Sequence, residues 1–195
     1  MNIIFLDRDG VVNEYPGHGE YVTSVKGLKL VKGAKEAIKL LTKSGYKIFI
    51  VSNQAGVSKG LFTKKTLNEI TKKMLSQVAK TGGKINKVMY CTHATEEGCE
   101  CKKPKTGLFI KAAGDLGKDF RDVYFIGDDK RDVETARNLG CRSILVFSGK
   151  STKKDLHNWE FLPDRTARNL LEAVKNIVLR VKEGEIKKGK IRVNK

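Results

Sequence analysis

Asn2-Ile3-Ile4-Phe5-Leu6-Asp7-Arg8-Asp9-Gly10-Val11-Val12 opens the chain with an apolar run that ends in two carboxylates, one residue apart, followed by glycine. A short run without polar alternation reads as a strand buried on both faces of a parallel sheet. In open parallel α/β sheets, ligands bind at the carboxyl ends of the strands. Asp7 and Asp9 fall on that edge. Unpaired carboxylates are too costly to bury as packing groups. They call for a cation, and a divalent metal is the first candidate. If the strand continues through Asp9, period-two alternation points both side chains the same way. Gly10 then lets the chain turn sharply. Two convergent carboxylates can bind Mg²⁺ together with a substrate phosphate. They can also divide into nucleophile and acid/base. A capping or turn pair at a strand end is the alternative that so short a motif leaves open.

Three later segments repeat the shape of an apolar strand ending in polar residues. Lys47-Ile48-Phe49-Ile50-Val51 leads to Ser52-Asn53-Gln54-Ala55-Gly56. Val88-Met89-Tyr90 leads through Cys91 and a polar loop to Lys103-Pro104-Lys105-Thr106-Gly107. Val123-Tyr124-Phe125-Ile126 leads to Gly127-Asp128-Asp129-Lys130-Arg131-Asp132. Ser52 and Asn53 offer a hydroxyl, an amide and backbone N–H groups to phosphate oxygens. Lys103 offers a point charge, and Asp128, Asp129 and Asp132 offer further oxygen ligands to a cation. Each segment alone is weak; their succession, each directly after a strand, is specific.

The ordered set Asp7-x-Asp9-Gly10, Ser52-Asn53, Lys103-Pro104 and Gly127-Asp128-x-x-x-Asp132 resembles the four-motif signature of the haloacid dehalogenase superfamily of phosphohydrolases. Phe5-Leu6-Asp7-Arg8-Asp9-Gly10, Ser52-Asn53-Gln54-Ala55-Gly56 and a Cys/His cluster narrow the resemblance to the heptose-bisphosphate and histidinol-phosphate phosphatase branch, from about Asn2 to about Gly149. The resemblance implies that Asp7 attacks phosphorus and becomes a transient aspartyl-phosphate. It implies that Asp9 protonates the leaving alkoxide and then deprotonates the hydrolytic water. It implies Mg²⁺ held by Asp7, the Asp9 carbonyl and Asp128, with a phosphate bound by Ser52, Asn53, Gln54, Lys102 and Lys103. Positioning and electrostatics suffice for such a transfer. Asp132 is expected to orient the metal shell or Lys103. One departure stands out: the heptose branch often carries lysine after Gly-Asp, where this chain has Asp129, an acid that could join the metal.

Cys91-x-His93-x5-Cys99-x-Cys101 gathers three thiols and an imidazole in one polar loop. That donor set fits a closed, structural tetrahedral Zn²⁺ site. A disulfide and plain buried cysteines are the alternatives. The first is disfavoured in a reducing compartment, the second by Thr92, Thr95, Glu96, Glu97 and Glu100 around the cluster. The phosphatase branch has the same loop. Zinc there stiffens the segment that delivers Lys102 and Lys103. Cys141 opens a later apolar strand and is expected in the core.

At 195 residues, with 39% hydrophobic residues, the chain can bury one core. We expect one domain over residues 1–181 and a basic tail over 182–195. Nothing approaches the length of a membrane span, no secretory region precedes the first strand, and the expected location is the cytoplasm. The net charge of +17 suits an anionic substrate and also nucleic acid. Its lysines are scattered along helices and lack interleaved aromatics, so nucleic acid is the weaker expectation. The expected partner is a small phosphorylated anion, and the expected state a monomer.

Alternating strands and helices argue an α/β fold: a Rossmann-like three-layer α/β/α sandwich with a parallel sheet, of the capless haloacid dehalogenase type. Helices are predicted over Gly33–Lys43, Lys64–Lys80, Gly107–Leu116, Arg131–Asn138 and Thr166–Val181, with Thr63 and Thr166 as N-caps. The loop from Glu14 to Lys29 should overhang the site. The branch resemblance implies a Mg²⁺-dependent phosphatase, best matched by removal of the 7-phosphate of D-glycero-D-manno-heptose 1,7-bisphosphate. Histidinol phosphate and a polynucleotide 3′-phosphate are the alternative substrates. A nucleic-acid-binding module on a retired phosphatase scaffold is disfavoured by the intact Asp7, Asp9, Lys103 and Asp128.

Overall fold

A computed structural model describes residues 2–114 and 119–180. The expected tail 182–195, Val181 at the end of the last apolar stripe and Leu116 at the end of the third predicted helix lie outside the described residues.

The apolar runs form strands β1 (Ile3–Leu6), β2 (Lys47–Asn53), β3 (Lys87–Cys91), β4 (Tyr124–Gly127) and β5 (Arg142–Val146). A sixth, β6 (Arg165–Ala167), completes one sheet of order β3-β2-β1-β4-β5-β6. Every pairing is parallel. The register sets Ile4 beside Ile48 on one side and Tyr124 on the other, so the polar carboxyl ends of β1, β2 and β4 finish together.

Parallel strands need helical crossovers. These are α1 (Ala34–Lys43), α2 (Lys64–Ala79), α3 (Gly107–Ala113) and α4 (Lys130–Leu139). After a 3₁₀ segment, Lys153–Asn158, a last helix α5 (Leu170–Glu172) runs into π-helical turns over Ala173–Val178. Alternation along β1 sends Ile4 and Leu6 to one face, with Ile38 and Leu41 of α1, Ile70 and Met74 of α2, and Leu170 and Val174. Ile3 and Phe5 face the other side, with Phe109 of α3 and Ala136 of α4. Phe109 packs edge-on between Phe5 and Phe125, at 5.0 and 4.9 Å between ring centres. Three layers result, as expected. Among the described residues, the connections after β1 and β3 carry no extra domain.

Thr63 caps α2, its side chain accepting from the N–H of Thr66 at 3.0 Å. Thr166 does not start the last helix. It lies in β6, and Asn169 caps α5 by accepting from the Glu172 N–H at 3.0 Å. Pairing with β5 outweighs the helical pattern there. Cys141 is buried in the core.

Candidate active site

The chain stops being a strand at Leu6, earlier than the alternation of Asp7 and Asp9 required. The Asp7 N–H still bonds the Ile126 carbonyl at 2.9 Å, and then the backbone turns, with Val12 and Asn13 N–H groups both returning to the Arg8 carbonyl. Gly10 makes this turn at φ 78° and has no room for a side chain, because Asp128 and Gly149 crowd it. Both carboxylates nonetheless line one cleft of about 360 Å³.

At its floor, Lys103 is buried and bridges two acids, 2.7 Å from Asp7 Oδ2 and 2.7 Å from Asp132 Oδ1. Burial works against its charge, but Asp132 and Asp7 outweigh burial and raise its pKa. Asn53 aims this lysine: its Oδ1 accepts from the Lys103 N–H at 3.0 Å and its Nδ2 donates to the Lys103 carbonyl at 3.2 Å. Asp7, Asp128 and Asp132 present carboxylate oxygens within 4.8 Å of one another. Burial pushes the Asp7 carboxyl up to about 6, with Lys103 pulling down and Asp132 adding to the rise. Burial, then Asp7 and Asp132, hold Asp128 well above the usual carboxylate range. Three acids against one lysine leave a deficit of positive charge, which a divalent cation fits. Asp132 has both oxygens engaged, one by Lys103 and the other by the N–H groups of Asp128 and Asp129 at 3.0 and 3.1 Å. Asp7 also has one oxygen on the Arg8 N–H and the other on Lys103, whereas Asp128 gives Oδ2 to the Lys150 N–H and keeps Oδ1 open, so Asp128 offers a metal a free oxygen and Asp7 one it would share with Lys103 or Arg8.

Asp129 does not join that group. It caps α4, and its Oδ2 accepts from Arg131 at 2.6 Å and Lys150 at 2.8 Å. Burial would raise its pKa, yet Arg131 and Lys150 hold it down at about 2. An acid already holding two cations has little to offer a third. Gln54 also departs from expectation. It is fully buried outside the cleft lining, and its amide is spent on Arg8, Asp9 and Ser52. Ser52 and Asn53 do line the cleft, as does Lys102, whose Nζ donates to Thr95 Oγ1 at 2.8 Å.

The Glu14–Lys29 loop supplies one wall through Tyr15 to Tyr21, including His18. Sequence reading missed Arg131 and Lys150. Lys150 follows β5 closely, so the rule that found Ser52 and Asp128 at strand ends would have found it too.

Cys91, His93, Cys99 and Cys101 converge beside this cleft. The sulfurs of Cys91 and Cys99 are 3.6 Å apart, those of Cys99 and Cys101 3.4 Å, and His93 Nδ1 is 3.0 Å from Cys101 Sγ. No disulfide links them. Tetrahedral zinc with thiolate ligands sets neighbouring sulfurs about 3.8 Å apart, so the donor set fits zinc. Among the described residues, no helix is long and apolar enough to cross a membrane.

A family model described as HAD-hydrolase-like matches residues 100–173. The chain is 33% identical to the D-glycero-beta-D-manno-heptose-1,7-bisphosphate 7-phosphatase of Neisseria meningitidis serogroup A, over 85% of this chain and 88% of that protein. It is 31% identical to the D-glycero-alpha-D-manno-heptose-1,7-bisphosphate 7-phosphatase of Campylobacter jejuni, over 78% of this chain and 86% of that protein. Its fold superposes on the crystal structure of D,D-heptose 1,7-bisphosphate phosphatase from B. bronchiseptica complexed with magnesium and phosphate, with a TM-score of 0.84 at 33% identity, covering 91% of this chain and 98% of that one. The chain thus belongs to the heptose-bisphosphate phosphatase family of haloacid dehalogenase-like hydrolases.

Proposed function

We propose that this chain is a Mg²⁺-dependent phosphatase that removes the 7-phosphate of D-glycero-D-manno-heptose 1,7-bisphosphate, the substrate in the names of its relatives. One observation carries the reading: Asp7 and Asp128 meet beside the buried Lys103 at the floor of an open cleft. Asp7 is the nucleophile. Its Oδ1 is fixed by the Arg8 N–H at 2.7 Å, and Lys103 Nζ stands at Oδ2. Lys103 and the Ser52 hydroxyl receive the phosphate oxygens. Asp132 and Asn53 keep Lys103 charged and aimed. Asp9 protonates the departing sugar oxygen and then accepts a proton from the water that cleaves the phosphoryl-aspartate. Asp7, Asp128 and the Asp9 carbonyl would hold Mg²⁺, which offsets repulsion between carboxylate and phosphate. Cys91, His93, Cys99 and Cys101 would hold Zn²⁺ and fix the loop that presents Lys102 to the substrate. Asp129 serves as a cap and anchor for Arg131 and Lys150 rather than as a metal ligand. A free sugar bisphosphate goes with a cytoplasmic enzyme working as a monomer, in one domain over residues 1–181.

Phosphate release from both anomers of the heptose bisphosphate, histidinol phosphate and a 3′-phosphorylated oligonucleotide tests the proposal. A heptose bisphosphate should be preferred at least about tenfold in kcat/KM, a gap of about 1.4 kcal/mol in transition-state binding. Preference for either other substrate overturns it.

A further inference from the structure

Arg8 heads the largest side chains with no exposure, and none of the roles above uses its guanidinium. Burying that group is costly unless it is paired. Its Nε and Nη2 donate to Asp9 Oδ1 at 3.1 and 3.0 Å, and Nη2 also reaches Asp9 Oδ2 at 3.1 Å. Nη2 donates again to Gln54 Oε1 at 3.0 Å, and Gln54 Nε2 closes the ring on Asp9 Oδ2 at 2.7 Å. Asn13 Nδ2 adds a bond to Asp9 Oδ1 at 2.8 Å. Tyr90 covers the guanidinium, its ring centre 5.5 Å away. Each oxygen of Asp9 is thus held from behind by donors that are themselves buried. The same side chain keeps 18% of its surface open to the cleft.

A buried ion pair is a poor way to stabilise a core, since apolar residues of similar volume often do as well or better. This one converges on a single carboxylate that faces the cleft, beside Asp7. We infer that Arg8 and Gln54 are positioning residues for Asp9, fixing its plane and its reach toward the leaving oxygen. The inference rests on the reading of Asp9 as acid and base. In that step the bond from phosphorus to the sugar oxygen breaks as the bond to Asp7 forms, and the proton on Asp9 passes to the sugar oxygen. The Asp9 carboxylate then takes a proton from the attacking water.

Leaving-group dependence tests this. A sugar alkoxide needs a proton to depart, whereas nitrophenolate does not. The ratio kcat/KM covers steps only up to that departure, so it isolates the acid role. Arg8→Lys should lower kcat/KM about 30-fold on the heptose bisphosphate and less than about threefold on p-nitrophenyl phosphate, within the contribution of a positioned general acid. Gln54→Leu, of similar volume, should show the same selectivity at about tenfold, and decides the matter if Arg8→Lys fails to fold. In an Asp9→Asn background, Gln54→Leu should add less than about twofold, because its effect passes through Asp9. An equal loss on both substrates, or no loss, overturns the inference. If Asp9→Asn itself shows no leaving-group selectivity, the acid role of Asp9 fails. If Asp9→Asn is selective and the Arg8 and Gln54 variants are not, only the positioning fails.

Discussion

Removing the proposed nucleophile should make the Mg²⁺-free protein more stable. Asp7 sits buried with Asp128 and Asp132 around it, and Lys103 only partly compensates. Its carboxyl rises from the ordinary 3.8 to about 6. At roughly 1.36 kcal/mol per pH unit, that rise means ionised Asp7 costs the native state about 3 kcal/mol. Asp7→Asn removes the charge and keeps the shape. It also loses one good acceptor, since an amide cannot accept from both the Arg8 N–H and Lys103, at about 1 kcal/mol. The variant should therefore be about 2 kcal/mol more stable at pH 8. The sign follows from linkage: a raised carboxylate is penalised fully above pH 6, and the penalty fades as the pH falls through 6 toward 3.8. The advantage should shrink on acidification. Urea unfolding at several pH values, in Mg²⁺-free buffer with zinc left in place, measures it. Mg²⁺ at a hundredfold excess over Kd should then stabilise the unsubstituted protein by about 2.7 kcal/mol, which more than cancels the variant's advantage and reverses the order by about 0.7 kcal/mol. A variant less stable at pH 8 without Mg²⁺, or an advantage that grows on acidification, refutes the reasoning.

Asp129→Asn keeps a capping side chain but drops the charge that holds Arg131 and Lys150. It should cost about 1–2 kcal/mol at pH 7, a loss that disappears as the pH falls through 3.8 toward 2, where the native carboxylate is itself protonated. Half-saturating Mg²⁺ should move less than about threefold; a rise of 10–100-fold would return Asp129 to the metal shell. A Cβ at Gly149 collides with the Asp128 carboxylate, so Gly149→Ala should weaken Mg²⁺ at least about tenfold in a titration of activity. Cys99→Ser should bring bound zinc, read by elemental analysis, well below one equivalent and raise KM more than it lowers kcat, if the loop that sets Lys102 in the cleft lining meets substrate as proposed.

Most of the sheet was legible because buried parallel strands are written as unbroken apolar runs, as in Ile3–Leu6 and Ile48-Phe49-Ile50-Val51. The site was legible for the same reason, since each run announces its own carboxyl end. Strand β6 was not. Arg165 and Thr166 are exposed, and the strand exists through pairing with β5 and the bond from Ser143 N–H to Asp164 at 2.7 Å, neither of which leaves a pattern. Residue type singled out Ser52, Asn53 and Lys103, which line the cleft, but not what their neighbours do. Gln54 turns inward because Arg8, buried beneath the site, needs an acceptor. Asp129 turns to the helix because it begins α4, where its side chain meets free N–H groups and two cations. Arg8 reaches Gln54 and Lys150 reaches Asp129 from distant parts of the chain, and one strand's pattern does not hold such contacts.

The claim beneath all of this is that Asp7 itself carries the phosphoryl group. Borohydride reduces an acyl phosphate to an alcohol, so quenching turnover with it should convert residue 7 to homoserine, detectable by peptide mass spectrometry only when substrate and Mg²⁺ are both present. Reduction at Asp9 instead, or an unlabelled residue 7 during active turnover, would contradict the account.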